Sequence, residues 1–117
     1  MMIAIDAAAQ LKANVAVPFT QAHAMPKIVY TSEEFAAQEV AQIFSKEWFC
    51  VGRATALANP GDYVTLELAG QPIMVIRDRE GTLRAQSNVC LHRMSILLKG
   101  TGNVKGIVCP YHGWSYN

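Results

Sequence analysis

The chain has 117 residues, a formal net charge of +1, and an apolar fraction of 51%. This length allows one domain of ordinary size, with enough apolar residues for a core. The near-zero charge excludes strong electrostatic attraction to nucleic acid or to an anionic membrane surface. No uninterrupted apolar stretch reaches the roughly 18 residues that a membrane span needs, so no span is expected.

The first part of the chain, residues 1–30, is predicted to be a peripheral segment. Three alanines at 7–9 favour a short helix up to about Asn14, and Pro18 would end it. The first six residues contain no Lys or Arg, and Asp6 interrupts their apolar run, so a secretory signal is not expected. A cytoplasmic location is therefore predicted.

The middle of the chain predicts one longer helix over residues 32–46. Thr31 and Glu34 have the spacing of a capping box, and apolar residues follow at helical intervals. Residues 48–51 are predicted to form a strand in which Trp48 anchors the core. Cys50 is expected to be a buried, small apolar residue.

From residue 59 onward the pattern is typical of β-structure. Asn59-Pro60-Gly61-Asp62 predicts a turn, Gly70-Gln71 a second turn, and residues 78–81 a hairpin connection. Alternating or continuous apolar runs lie between these turns. The predicted strands are residues 64–68, 73–76, 83–89, 107–108 and a strand beginning at Ser115.

Two short motifs near the end of the chain contain residues that bind metals. Cys90-Leu91-His92 is followed, after sixteen residues, by Cys109-Pro110-Tyr111-His112. Two thiolates and two imidazoles match a Rieske-type [2Fe–2S] centre, in which the cysteines hold one iron and the histidines the other. The same four residues also suit a tetrahedral zinc ion. The alternative is therefore a zinc-stabilised interaction module.

The residues beside the motifs favour the cluster. Gly113 allows the backbone to approach bridging sulfides closely. Tyr111 and Trp114 are predicted to shield a cluster from water. Arg93 directly follows the first histidine and is expected to face an acidic partner. Because two of the three cysteines are assigned to metal, no intrachain disulfide is expected.

Residues 88–93 and 109–116 resemble the Rieske motifs of the large (α) subunit of ring-hydroxylating oxygenases. The resemblance extends over about residues 30–117 and includes Pro60-Gly61-Asp62-Tyr63. Members of that family have Gly after the His-Arg pair, where this chain has Met94. The resemblance implies a mainly β fold with an N-terminal helix: an antiparallel β-sandwich with two cluster-binding loops. Residues 31–117 would form this Rieske domain, incomplete at its C-terminal end.

The resemblance also implies a function. Cys90 and Cys109 would hold the inner iron, and His92 and His112 the outer iron. The cluster would receive single electrons from a reductase or ferredoxin and pass them to a mononuclear Fe(II) that activates O2 in aromatic hydrocarbon catabolism. The intact protein would be a ring-shaped, trimer-like homo-oligomer. A stand-alone Rieske ferredoxin is the alternative.

The histidine count bears on catalysis. The chain has three histidines, and the cluster would use two of them. Only His23 remains, whereas a mononuclear iron site of this kind takes two histidines and a carboxylate. We therefore predict no catalytic residues in this chain and place the mononuclear iron in a domain that it lacks.

Overall fold

The computed structural model describes residues 7–116, and the chain divides into two compact units, with the division between Trp48 and Phe49. The expectations for Met1–Asp6 and for Asn117 concern residues outside this range. The domain boundary at residue 30 stays a prediction.

The N-terminal unit contains short helices. These are α1 (Ala7–Val15), α2 (Lys27–Thr31) and α3 (Glu33–Glu39), with a 3-10 turn at Phe19–Gln21 and a π-helical turn at Val40–Phe44. The alanine-rich helix is thus confirmed as α1. Among the described residues, none of these helices has the length and apolar character needed to cross a membrane.

The predicted helix over 32–46 is present as α3 and the π-helical turn that follows it, but its capping residue differs from the prediction. Ser32, rather than Thr31, is the N-cap, because its hydroxyl accepts a hydrogen bond from the N–H of Phe35. Thr31 instead ends α2, where its hydroxyl bonds back to the carbonyl of Lys27. A serine in extended conformation separates α2 from α3, so the capping-box prediction for Thr31 was wrong by one residue.

The C-terminal unit holds two antiparallel sheets. Its first sheet has the strand order β3-β2-β1-β4, and β5 pairs with β6 in the second. The strands are β1 (Asp62–Leu68), β2 (Gln71–Arg77), β3 (Leu83–Ser87), β4 (Thr101–Asn103), β5 (Ile107–Val108) and β6 (Ser115–Tyr116). The expected fold, antiparallel β-structure after an N-terminal helical part, is confirmed.

The β1–β2 hairpin has a two-residue turn at Ala69 and Gly70. Their φ values of 50° and 75° are both positive, as in a type I′ turn. The turn was predicted one residue later, because Gln71 is already the first residue of β2. A positive φ is unfavourable for Ala69, because alanine has a Cβ. The sequence therefore favoured Gly70 as the first turn residue.

Two expectations about the region between the helices and β1 were wrong. Residues 48–51 form no strand, and Trp48 is fully exposed (100%) rather than a core anchor. Cys50 is also exposed. Strand β4 was not predicted, because Thr-Gly-Asn contains no apolar residue and all three positions are exposed. It forms through pairing with β1 alone.

The buried core of the C-terminal unit joins the first sheet to the two motifs. Met74 of β2 and Ile107 of β5 pack with Leu97, Cys90 and Cys109. Both motif cysteines are therefore part of the core, so the packing that stabilises the sheets also fixes the sulfur positions.

Candidate metal centre

The first motif lies in a tight loop that we call the first loop (residues 90–95). The N–H of Cys90 donates to the carbonyl of Ser95 at 2.8 Å, and the N–H of Met94 donates to the carbonyl of Cys90 at 2.9 Å. An antiparallel bridge between Val89 and Ile96 closes its base. The loop therefore starts and ends at one fixed point.

The second motif lies in a loop of the same construction, the second loop (residues 109–114). The N–H of Cys109 donates to the carbonyl of Trp114 at 2.7 Å, and the N–H of Gly113 donates to the carbonyl of Cys109 at 3.0 Å. Strands β5 and β6 close its base, with Val108 opposite Ser115. The two loops thus repeat one hydrogen-bonding scheme on different sequences.

The repeat extends to backbone conformation. The fifth residue of each loop is left-handed: Met94 has φ +55° and Gly113 has φ +74°. Glycine adopts this conformation without steric cost, whereas a residue with a Cβ does not. Met94 thus occupies the position where the second loop, and the resembling family, has Gly.

The four candidate ligands separate by depth. Cys90 and Cys109 are 1% and 3% exposed, and both are free thiols. His92 and His112 are exposed, with ring centroids 4.9 Å apart. Sulfur therefore lies inside and nitrogen outside, the order that a cluster with two thiolates on one iron and two imidazoles on the other requires.

Hydrogen-bond donors surround the inner sulfur. The hydroxyl of Tyr116 donates to Cys90 Sγ at 3.0 Å and accepts from the N–H of Leu91 at 3.0 Å. This bond is the main cause that lowers the pKa of the Cys90 thiol, with help from the backbone N–H groups of His92 and Arg93, while burial acts in the opposite direction. The same bond to Cys90 raises the pKa of Tyr116. The surroundings thus favour a thiolate, the form that binds metal.

The other predicted site residues also lie at the loops. The ring of Trp114 stacks on that of His92, with centroids 5.0 Å apart and planes at 6°. The ring of Tyr111 lies 3.8 Å from that of His112. Arg93 is exposed beside them. The structure therefore brings the residues of the two motifs together, and it leaves His23 in the other unit.

The candidate ligands form two pairs, one of thiols and one of imidazoles. Among residues 7–116, no three His, Cys, Asp or Glu side chains group closely enough to hold a single metal ion. A [2Fe–2S] cluster needs only two protein ligands at each iron. A buried thiol pair and an exposed imidazole pair therefore fit the donor set of such a cluster.

Sequence reasoning missed two residues of the site. Asn88 is buried beneath the first loop, and its carboxamide bonds to the backbone of Leu98. Its position two residues before Cys90 was the only available signal. The structural cost of Met94 was also missed, although the departure from Gly was visible in the sequence.

Comparison with known proteins agrees with this geometry. The family profile described as "Rieske [2Fe-2S] domain" matches residues 47–117, more than half of the chain. The chain belongs to the Rieske [2Fe–2S] domain family. Its cofactor is accordingly a [2Fe–2S] cluster, and this replaces the zinc alternative.

Known relatives of the domain are oxygenase α subunits. The carnitine monooxygenase oxygenase subunit of Acinetobacter baumannii is 44% identical over 92 residues, which are 78% of this chain and 25% of that protein. The chlorobenzene dioxygenase α subunit of a Cupriavidus species is 36% identical over 90 residues, or 76% of this chain and 20% of that protein. The chain thus spans about a quarter of the length of these relatives.

Solved structures give the same result. The quaternary ammonium Rieske monooxygenase CntA, in complex with γ-butyrobetaine, matches with a TM-score of 0.75 and 44% identity. The match covers 79% of this chain and 27% of that one. Aromatic compounds are thus named for some relatives and quaternary ammonium compounds for others.

Proposed function

We propose that this chain is the electron-transfer portion of the oxygenase (α) subunit of a Rieske non-haem iron oxygenase. The observation that carries the proposal is the pairing of two buried thiols with two exposed imidazoles on twin loops. When bound, the cluster accepts and donates one electron at a time. The whole protein would be an oxidoreductase, with its mononuclear Fe(II) outside this chain.

Each site residue has a role in this proposal. Cys90 and Cys109 hold the inner iron, and His92 and His112 hold the outer iron at the surface. Their exposure supports an electron path through the imidazoles, because the histidines are the ligands that a second protein surface can reach.

The residues beside the ligands shape the surroundings of the cluster. Trp114 lies against the ring of His92 and Tyr111 against that of His112, where they would limit access of water to the cluster. Gly113 gives the second loop its left-handed turn. Arg93 supplies a positive charge at the rim, where an acidic partner would dock.

The partners follow from this role. A reductase or ferredoxin in the cytoplasm would supply the electrons, and the mononuclear iron would receive them within a ring-shaped homo-oligomer. The relatives named as oxygenase subunits support a separate donor, because such a subunit works with another component.

For the substrate of the whole protein, we propose a quaternary ammonium compound ahead of an aromatic hydrocarbon. The carnitine, choline and glycine betaine monooxygenases are 44%, 41% and 39% identical to this chain. The chlorobenzene and benzene dioxygenases are 36% and 34% identical. Turnover of γ-butyrobetaine or choline by the whole protein, against benzene, tests this choice; oxidation of benzene alone would reverse it.

Replacement of a ligand tests the electron-transfer assignment. His112→Ala should abolish the visible absorption and the reduced-state EPR signal of the cluster in the full chain. His23→Ala is the matched control, because His23 lies in the N-terminal unit and should leave both signals intact. An unchanged spectrum in His112→Ala would refute the ligand assignment.

A further inference from the structure

The two loops have the same tips but different bases. Below the second loop, β5 and β6 form a regular ladder in which Ile107 pairs with Tyr116. Below the first loop, backbone pairing is limited to the isolated bridge between Val89 and Ile96, in which the N–H of Cys90 bonds to the carbonyl of Ser95 and the N–H of Leu97 bonds to the carbonyl of Asn88. The first loop therefore needs another connection at this level.

The side chain of Asn88 supplies that connection. Its Oδ1 accepts from the N–H of Leu98 at 2.9 Å, and its Nδ2 donates to the carbonyl of the same residue at 2.9 Å. The carboxamide thus presents one donor and one acceptor to one residue, as a backbone peptide does in a ladder. These two side-chain bonds, which we call the clasp, add a connection to Leu98 beyond the backbone bond between Leu97 and Asn88.

The backbone of Asn88 anchors this clasp to the first sheet. Its N–H donates to the carbonyl of Pro72 at 2.8 Å, and its carbonyl accepts from Leu97 at 3.1 Å. All the polar groups of Asn88 are therefore bonded, although the residue is only 3% exposed and is the buried polar residue among residues 7–116. A buried amide whose nitrogen and oxygen atoms are both bonded specifies one arrangement of the chain around it.

The first loop also contains a strained residue, Met94, which the bonds of Asn88 to Leu98 help to keep in place. Met94 adopts φ +55°, a conformation that costs a residue with a Cβ about 1–2 kcal/mol. Such strain persists only where the surrounding structure fixes it. Asn88 lies two residues before Cys90, and Leu98 lies four residues after Met94. The bonds between them therefore hold together the two chain segments that flank the first loop.

We propose that Asn88 is a positioning residue for the cluster, a role that rests on the proposed function of the two loops. Its carboxamide fixes the separation of the two chain segments beneath the first loop and so fixes where Cys90 Sγ and the His92 ring stand. Its bonds go to Pro72, Leu97 and Leu98, so it acts through the loop. A general contribution to core stability is the competing explanation.

Two variants separate these explanations. Asn88→Leu has nearly the same shape and removes both bonds to Leu98. Asn88→Asp retains the acceptor for the N–H of Leu98 and loses the donor to the carbonyl of Leu98. This variant distinguishes the two explanations if the leucine variant does not fold. Asn103→Asp is the control: the Nδ2 of Asn103, in the exposed strand β4, donates to the carbonyl of Pro60 and to Oδ1 of Asp62, so this variant disturbs the first sheet away from the loops.

The measurements use the full chain loaded with its cluster. Hydrogen exchange by mass spectrometry compares peptides covering residues 88–98 with peptides covering β1 and β2. Transfer of iron to a chelator under native conditions, followed by loss of visible absorption, reports on ligand positioning. The reduced-state EPR spectrum records any change in ligand geometry.

For Asn88→Leu, we expect exchange in residues 88–98 and iron release to be at least about tenfold faster than in the wild type. Two buried hydrogen bonds are lost, and tenfold corresponds to about 1.4 kcal/mol for the pair. Exchange in β1 and β2 should stay as in the wild type. Asn88→Asp should also release iron faster than the wild type, because it turns a carboxylate oxygen toward the carbonyl of Leu98. Asn103→Asp should release iron at the wild-type rate.

Equal loosening of residues 88–98 and of the β1–β2 peptides would overturn the proposal in favour of general stability. Iron release from both Asn88 variants at the rate of Asn103→Asp would also overturn it. A wild-type chain that binds no cluster would count against the proposed function instead, and the exchange pattern would still test the clasp.

Discussion

At the scale of single residues, the hydroxyl of Tyr116 has the most direct effect on the cluster. It donates to Cys90 Sγ and is itself oriented by the N–H of Leu91. A donor to a ligand sulfur stabilises the reduced cluster more than the oxidised one, because the reduced cluster is more negative. The tyrosine is therefore expected to raise the reduction potential of the bound cluster.

Replacing this tyrosine should lower the potential. Tyr116→Phe removes one hydrogen bond worth about 1 kcal/mol, which corresponds to a fall of about 40 mV for a one-electron couple. Tyr63→Phe is the control, since the hydroxyl of Tyr63 bonds to the carbonyl of Lys99 instead of a thiol. In a redox titration, equal potentials for Tyr116→Phe and wild type would contradict the role of the hydroxyl.

The twin loops allow a second, paired prediction. Met94→Gly should raise the free energy of unfolding by about 1 kcal/mol, because glycine relieves a left-handed φ. Gly113→Ala should lower it by a similar amount, although no atom lies within 4 Å of the added Cβ. Urea unfolding of the two variants measures both changes. Changes of the same sign would show that the loops do not share this conformation.

The ligand residues were the part of the site that sequence could predict. Cys and His at these spacings are informative because few other side chains bind soft or borderline metals. The role of Asn88 was not predictable. Its partners are the backbone N–H and carbonyl of Leu98, and the sequence does not show which backbone groups a side chain will meet. Tyr116 belongs to the second motif, and a donor to a ligand sulfur is what a hydroxyl at this position predicts; the structure shows that bond to Cys90 Sγ.

At the scale of elements, the first sheet depends on a close approach at its edge. Gly61 lies at the start of β1 with φ +88°, and a Cβ there would collide with the carbonyl oxygen of Val104. Its N–H bonds to the carbonyl of Arg77 and its carbonyl accepts from Val104. This glycine joins β1, β2 and the chain after β4.

Substitution of Gly61 should destabilise the fold. Gly61→Ala is expected to lower the free energy of unfolding by about 2 kcal/mol or more, since backbone must move to relieve the collision. Gly70→Asn is the control, because Gly70 has a similar φ of +75° with open space around it, and Asn tolerates that conformation. Similar denaturation midpoints for the two variants would show that the close approach is not required.

Sequence patterns predicted those elements whose stability is local. The hairpin strands β1 and β2 have clear apolar runs, and both were placed correctly within a few residues. Strand β4 has no pattern of its own and depends on a partner distant in sequence. Trp48 was misplaced because a large aromatic residue favours a core only where neighbouring elements exist to cover it.

At the scale of the whole molecule, the chain combines a helical N-terminal unit with a Rieske domain. The family and cofactor were predictable, because both motifs are short, specific and dictated by metal chemistry. The substrate was not, since nothing in residues 1–117 contacts it in the proposed scheme. The carnitine monooxygenase oxygenase subunit is about three times as long as this chain.

The central claim is that two cysteines and two histidines of this chain hold a [2Fe–2S] cluster. ENDOR spectroscopy of the reduced protein, with 15N-labelled histidine, tests it most directly. We predict iron and acid-labile sulfide in equal amounts and nitrogen couplings from two imidazoles, reduced to one in His92→Cys. A colourless protein without sulfide, or a cluster spectrum without nitrogen couplings, would contradict the claim.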